Sequence, residues 1–241
     1  MRKIYFLILV ATISISTSCD SIFNKTIHGN GNVSSEQRNS NSTDKIKSYG
    51  SFDVVIIQGS TPSVKVEADE NLLPYIVTEN KNGALVIRAK EHYNLSSDNK
   101  IKVTVTTDKL SEVEVAGSGN VRGEGKFTGS DHLKISIAGT GDITLEVNTP
   151  EIDSHIAGTG NITLSGETKD SKIEIAGMGD YDAEKLLSES VEIHVAGSGN
   201  AKVHAENNLD IHIAGSGNVD YSGSPNIKQE IAGSGKINKV N

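Results

Sequence analysis

From Phe52 onward, apolar and polar positions alternate in short runs. Phe52, Val54 and Ile56 share one face ahead of the turn Gly59-Ser60-Thr61-Pro62, and Val64 and Val66 form the next run. Asn82-Gly83 is a hairpin-type turn signal before Ala84-Leu85-Val86-Ile87-Arg88. Ile101 to Thr106 is β-branched or polar with strict period two. Leu72 to Val77 contains Pro74, which argues against a long helix. No segment carries a sustained apolar stripe at helical spacing, so the pattern predicts an all-β chain.

The second half is a repeat. Ala-Gly-x-Gly recurs seven times, beginning at Ala116, Ala138, Ala157, Ala176, Ala196, Ala214 and Ala232. One residue earlier stand Val115, Ile137, Ile156, Ile175, Val195, Ile213 and Ile231, and three earlier stand Val113, Ile135, Ser154, Ile173, Ile193, Ile211 and Gln229. Between these columns lie Glu114, Ser136, His155, Glu174, His194, His212 and Glu230. In, out, in is the signature of a half-buried strand. After each motif Val121, Ile143, Ile162, Tyr181, Ala201, Val219 and Ile237 resume the inward column, followed by the outward set Arg122, Thr144, Thr163, Asp182, Lys202, Asp220 and Asn238.

Each unit therefore reads as two short strands joined at a corner, plus a variable third segment. The paired glycines Gly117/Gly119, Gly139/Gly141, Gly158/Gly160, Gly177/Gly179, Gly197/Gly199, Gly215/Gly217 and Gly233/Gly235 are the structural residues of these corners. Glycine at such a corner allows positive φ and close backbone approach, and the alanine leaves room inside the bend. Asn120, Asp142, Asn161, Asp180, Asn200, Asn218 and Lys236 follow them. The short amides and acids can bond local backbone and stack on their equivalents about 4.8 Å away. No single unit can bury its apolar face, so stability must come from stacking neighbour on neighbour. The simplest solution is a β-solenoid, a right-handed parallel β-helix of pectin-lyase style with a strand-rich N-terminal part. The competing arrangement is a chain of hairpins in an antiparallel roll.

The N-terminus reads as an address. Arg2 and Lys3 precede the apolar run Ile4–Ile15, then Ser16-Thr17-Ser18-Cys19. The expected organisation is a lipoprotein signal peptide at 1–18, a lipidated Cys19 with a flexible tether to residue 45, an N-terminal β region at 46–112 that caps or starts the solenoid, and the repeat solenoid at 113–241. Cys19 is the chain's one cysteine, so an intrachain disulfide is excluded. Residues 20–45 are poor in apolar side chains, although His28-Gly29-Asn30-Gly31-Asn32 echoes the corner motif and leaves room for a short ordered segment there.

The lipoprotein-like start, the strand-rich lead from Phe52 and the Ala-Gly-Ser-Gly-Asn corners resemble the family of putative auto-transporter adhesins with a head GIN domain (DUF2807), over roughly residues 46–235. The resemblance implies a Bacteroidetes-type envelope lipoprotein with a pectin-lyase-like β-helix. It brings no established catalytic residues, and this chain shows no translocator barrel segment.

Composition removes several function classes. The formal charge is −8, which argues against a nucleic-acid partner. Gly117-Ser118-Gly119-Asn120-Val121-Arg122 lacks the third Gly, the Lys-Ser/Thr and the helix of a phosphate loop. Gly139-Thr140-Gly141-Asp142 lacks the leading Gly pair and the nine-residue period of calcium-binding repeats. Asp180/Asp182 and Asp182/Asp220 are the carboxylate pairs a glycosidase reading would need, and neither spacing suits one. The sharpest metal candidate is the outward ladder His155, Glu174, His194 and His212, with side-chain types that suit zinc. Stacked outward positions are polar by default, so no metal and no cofactor is expected.

The expected function is a non-catalytic, lipid-anchored envelope protein that presents a rigid surface for adhesion to a glycan or protein ligand. The alternatives are a structural envelope protein without a specific ligand and a polysaccharide-acting enzyme on a β-helix scaffold. The last coil offers self-association as a further partner mode, with Lys236 and Lys239 as charges that blunt its edge.

Overall fold

The computed structural model describes residues 24–240, apart from 40 and 42. The expected signal peptide and Cys19 lie outside the described residues. The described chain opens with β1 (Lys25–His28), β2 (Val33–Arg38), β3 (Lys45–Gly50), β4 (Asp53–Gln58) and β5 (Ser63–Asp69). A 3-10 turn at Leu73–Tyr75, with Pro74 at its start, is followed by β6 (Ile76–Lys81), β7 (Ala84–Ala89), β8 (Tyr93–Ser96) and β9 (Lys102–Thr107).

The repeat supplies β10 (Glu112–Gly117), β11 (Val121–Phe127), β12 (His132–Gly139), β13 (Ile143–Asn148) and β14 (Glu151–Gly158). Three long strands follow, β15 (Ile162–Gly177), β16 (Tyr181–Gly197) and β17 (Ala201–Gly215). Each of these passes through a variable third segment into the next corner strand. The chain closes with β18 (Asn218–Gly223), β19 (Asn226–Gly233) and β20 (Lys236–Lys239).

Every pairing between repeat strands is parallel and in phase with the corners. Ala116 pairs with Ala138, Ala138 with Ala157, Ala157 with Ala176, and so on to Ala232. The outgoing strands stack likewise, Val121 on Ile143, Ile143 on Ile162, Ile162 on Tyr181. This is a β-solenoid of about seven turns, and the antiparallel roll is excluded.

The coils begin before the first Ala-Gly-x-Gly. β3 lies parallel under β10, with Gly50 beneath Gly117, and β4 lies parallel under β11. The N-terminal β region thus contributes a coil of its own, stacked on the first motif-bearing coil. Beyond β3 and β4 come β7 and β9, also parallel. The antiparallel additions β6 on β7, β5 on β9 and β2 on β5 then close the N-terminal end.

The tether is shorter than expected. Residues 25–38, placed within it, contain β1 and β2, with β1 parallel to β8 and β2 antiparallel to β5. Low apolar content misled because these strands dock through backbone hydrogen bonds. Of their side chains, Ile27 packs on the core.

The inward columns fill the core. Val115, Ile137, Ile156, Ile175, Val195 and Ile213 are all buried, as are Val121, Ile143, Ile162, Tyr181, Ala201 and Val219. Two departures from the column chemistry compensate each other. Tyr181 is the largest fully buried side chain, and the neighbouring column holds the small polar Ser154, whose hydroxyl donates to the Tyr181 oxygen at 3.5 Å. Ala201, the next rung above Tyr181, leaves room for the ring. Burial pushes the phenol pKa up.

The two glycines of each corner answer to different constraints. The first of each pair supplies positive φ: Gly117, Gly139, Gly158, Gly177, Gly197, Gly215 and Gly233 all have it. Gly177 has φ +135°, and a Cβ there would also run into the carbonyl of Gly158 beneath it. The second of each pair does not. Gly119, Gly141, Gly160, Gly179, Gly199, Gly217 and Gly235 have backbone that any residue can adopt, and they are glycine for want of space alone. A Cβ on Gly119 would overlap the Phe52 carbonyl of the first coil. A Cβ on each later member would overlap the carbonyl of its own counterpart one coil below. A Cβ on Gly179 would meet the carbonyl of Gly160, one on Gly199 that of Gly179, one on Gly217 that of Gly199 and one on Gly235 that of Gly217. In-phase stacking thus brings these backbones too close for any side chain. The middle corner residue carries the ladder around the bend, as when Thr159 N–H donates to Gly139 O at 2.9 Å.

Candidate ligand-binding surface

The outward positions form continuous columns. On the corner strands one column runs Lys45, Glu112, Lys134, Asp153, Lys172, Glu192, Asp210, Lys228, so opposite charges meet at all but one step. Beside it run Lys47, Glu114, Ser136, His155, Glu174, His194, His212 and Glu230. Lys47 bridges Glu112 at 2.7 Å and Glu114 at 2.8 Å, which raises its pKa. Tyr49 donates to Glu114 at 3.1 Å.

The structure brings the predicted ladder together as neighbours. His155 Nδ1 lies 3.1 Å from Glu174, and the rings of His194 and His212 stack with centroids 4.8 Å apart and planes within 5°. Three of the four also have a partner along their own strand: Lys172 to Glu174 at 3.0 Å, Glu192 to His194 at 2.8 Å, Asp210 to His212 at 3.0 Å. These side chains line up as successive rungs and do not converge on a point.

Among the described residues, the three ligating side chains that do converge are His132, Glu151 and Asp153, with ligand atoms all within 4.8 Å of one another. His132 Nε2 already sits 3.1 Å from Asp153 Oδ2. The sequence holds a signal for this group, since His132 and Glu151 stand at the same offset before Ala138 and Ala157 and are paired in register. The trio could take a divalent cation as an N,O,O site.

The second outward column separates the acids of the glycosidase reading. Lys202 lies between Asp182 and Asp220 in register. Arg122 is exposed on β11, beside Thr144.

A concave surface of about 490 Å³ lies near the N-terminal end of the solenoid. Its walls include Tyr49 and Phe52 from the first coil, Tyr93 and Asn94 from β8, and the loop Ser97–Ile101. Buried Asp69, at the end of β5, organises that loop. It accepts from Ser97 Oγ at 2.5 Å and from Asn99 Nδ2 at 2.8 Å, and those bonds hold its carboxyl below the usual range. Asn99 N–H donates to Ser97 Oγ at 2.9 Å, and Lys100 bridges Asp53 at 2.8 Å. Tyr93 is braced by Tyr75, with ring centroids 4.7 Å apart. Sequence reading missed this cleft because its residues come from segments outside the repeat.

The description "putative auto-transporter adhesin, head GIN domain" (DUF2807) matches residues 43–225. The chain belongs to this family. The match extends across the coils from β3 to β18 and includes the cleft loop. Three solved structures are similar along their whole length. A protein described as a putative lipid binding protein from Parabacteroides distasonis is 28% identical, with TM-score 0.74, covering 90% of this chain and 100% of that one. A putative adhesin from the same species is 25% identical with TM-score 0.72 and the same coverage. A putative adhesin from Bacteroides fragilis shares the fold at TM-score 0.82 and 22% identity, over 89% of this chain and 100% of that one. No curated protein matches the chain. The family and the two P. distasonis neighbours are described as adhesins or a binding protein, in keeping with an adhesion-like role.

Proposed function

We propose that this head GIN protein is a non-catalytic envelope protein, lipid-anchored at Cys19 in the outer membrane, that binds a glycan or protein ligand. The observation that carries the reading is the cleft beside the Asp69-pinned loop. Ligand sites are concave, largely preformed, and combine aromatic surface with a few oriented polar groups. Tyr49 and Tyr93 offer ring faces against which the C–H faces of a sugar or an apolar side chain can pack. Asn94, Asp98 and Asn99 offer amide and carboxylate groups for hydroxyls or backbone. Because Asp69 fixes the loop beforehand, binding costs little ordering entropy. The charge-compensated columns give the cleft a stiff support. The name of the P. distasonis neighbour adds a lipid to the candidate ligands.

The test is retention of the purified protein on a panel of envelope and host polysaccharides, matrix proteins and lipid vesicles, with soluble products assayed in parallel. Retention that is lost in Tyr93→Ala, with folding checked by circular dichroism, supports binding in the cleft. Retention lost instead in Arg122→Glu moves the site to the outgoing face. Released oligosaccharides would replace this reading with a polysaccharide-acting enzyme. The absence of both would favour a structural envelope role.

A further inference from the structure

The last corner strand breaks the rules the others keep. All eight residues of β19 are exposed. Ile227 and Ile231 are 42% and 40% exposed, whereas Leu209 and Ile213 directly beneath them in register are 1% and 2% exposed. Gln229 stands in a column otherwise filled by Val113, Ile135, Ser154, Ile173, Ile193 and Ile211. Among the described residues β19 pairs with β17 alone, so its outer edge presents free N–H and C=O groups. Natural edges are normally short, bulged or charged to prevent pairing with another chain. β20 follows that rule with Lys236 and Lys239, while β19 is long, regular and half apolar.

We propose that β19 is a dimerisation edge whose occupant is a second copy of this chain, joined tail to tail in antiparallel pairing about Gln229. The sequence Ile227-Lys228-Gln229-Glu230-Ile231 is complementary to itself when reversed. Antiparallel pairing centred on Gln229 sets Ile227 opposite Ile231 of the second copy on the inward face. It sets Lys228 opposite Glu230 on the outward face, and both pairs occur twice by symmetry. Gln229 meets its own mate on the two-fold axis, where each amide can donate to and accept from the other. A polar residue at such a position costs stability and selects register, as a buried Asn does in coiled coils.

Neighbouring registers are worse. Centring on Lys228 or Glu230 opposes like charges on the axis and leaves an isoleucine against Gln229, and an offset of one residue sets Ile227 against Glu230. A head-to-tail filament would have to join β19 to β2 or β6, the edge strands of the N-terminal end, and neither carries the two isoleucines and opposed charges that β19 offers to itself. The contact is therefore isologous and closes at two copies. It is independent of what the cleft binds.

The experiment is sedimentation equilibrium of the full chain over a wide concentration range, with circular dichroism on every variant. The wild type should show a reversible monomer–dimer equilibrium. Glu230→Lys should weaken it by several-fold to about tenfold, since both cross-strand charge pairs become repulsive. Adding Lys228→Glu to Glu230→Lys should restore most of the loss, a rescue that damage to the fold would not give. Gln229→Cys in a Cys19→Ser background should form a disulfide-linked dimer on mild oxidation, because opposed Cα atoms in antiparallel strands lie about 4.5–5.5 Å apart. A wild type that stays monomeric to millimolar concentration overturns the proposal. A dimer that ignores the charge reversal, or one that Gln229→Cys does not cross-link, overturns it equally.

Discussion

The side-chain amide of Asn161 donates to Asp142 Oδ1 at 2.8 Å, and the Asn161 backbone N–H donates to the same oxygen at 3.1 Å. This bond pattern is one step of a ladder along the corners. Asn120 donates to Asp53 at 3.0 Å, Asn200 to Asp180 at 2.9 Å, and Asn218 to Asn200 at 3.1 Å. Where the upper residue is Asp142 or Asp180, which has no side-chain donor, its backbone N–H alone bonds the Asn below. Acids are thus always separated by amides.

Asn161→Asp should therefore destabilise. It places three carboxylates in consecutive rungs and removes an amide donor, a loss of about 1–2 kcal/mol. Asn218→Asp, between Asn200 and Lys236, should cost much less. Thermal denaturation of both variants checks the contrast, and added salt should narrow it.

Gly177→Ala should be among the worst single corner changes. It combines a strained φ of +135° with overlap on Gly158, for about 2–4 kcal/mol in all. Gly83→Ala is the comparison, because Gly83 has φ +79° with open space around it. Chemical denaturation should show a markedly larger midpoint drop for Gly177→Ala.

At the Tyr181–Ser154 contact, Tyr181→Phe should cost about 1 kcal/mol, while Tyr181→Ala should cost about 3–5 kcal/mol by leaving a cavity in the core. The ratio of the two losses, read from denaturation curves, separates the ring's packing from its hydroxyl.

The outer columns imply an acid limit. Glu174 is held below the usual carboxylate range first by the Lys172 hydrogen bond and then by the charge of His155, and Asp210 first by the hydrogen bond of Lys228. A carboxylate lowered by folding stabilises above its unfolded value near pH 4 and loses that contribution as pH falls through its folded value. Lys172→Ala should lower the melting temperature slightly at neutral pH, and the gap to wild type should close in acid.

Zinc titration by calorimetry should distinguish the two His clusters. His194→Ala should leave any uptake unchanged, because the His194 ladder is strung out along the axis. His132→Ala should abolish uptake held by the trio with Glu151 and Asp153.

The repeat was legible because each turn samples the same columns, so one misleading residue is outvoted by six others. Gln229 and Ser154 could be recognised as exceptions for that reason alone. The corner glycines were legible as a pair but not in their separate duties, since a sequence does not distinguish a glycine kept for its φ from one kept for a neighbour's carbonyl. The first coil was not legible as a coil. Its corner is Tyr49-Gly50-Ser51-Phe52-Asp53, which keeps one glycine and the final acid but replaces Ala and the second Gly by aromatics. Those rings are tolerated because no stacked corner lies beneath them. β2 was illegible for a different cause, since an edge strand held by backbone pairing and by the Arg38 bond to the Leu73 carbonyl needs no apolar alternation. The Asp69-centred loop was hidden because its bonds join residues 28 and 30 positions apart with no periodicity to connect them.

The alternation of acid and amide at the corners also bears on how such a chain can lengthen or shorten over evolutionary time. Excising the turn that contributes Asp142 would bring Asn120 and Asn161 together, a juxtaposition the Asn200–Asn218 step already accommodates. Excising the turn that contributes Asn161 would stack Asp142 directly on Asp180. Turns bearing an acid are thus expendable one at a time, whereas an amide turn between two acids can be lost only together with a neighbour. Relatives of different length should carry the imprint of that asymmetry in which turns they lack.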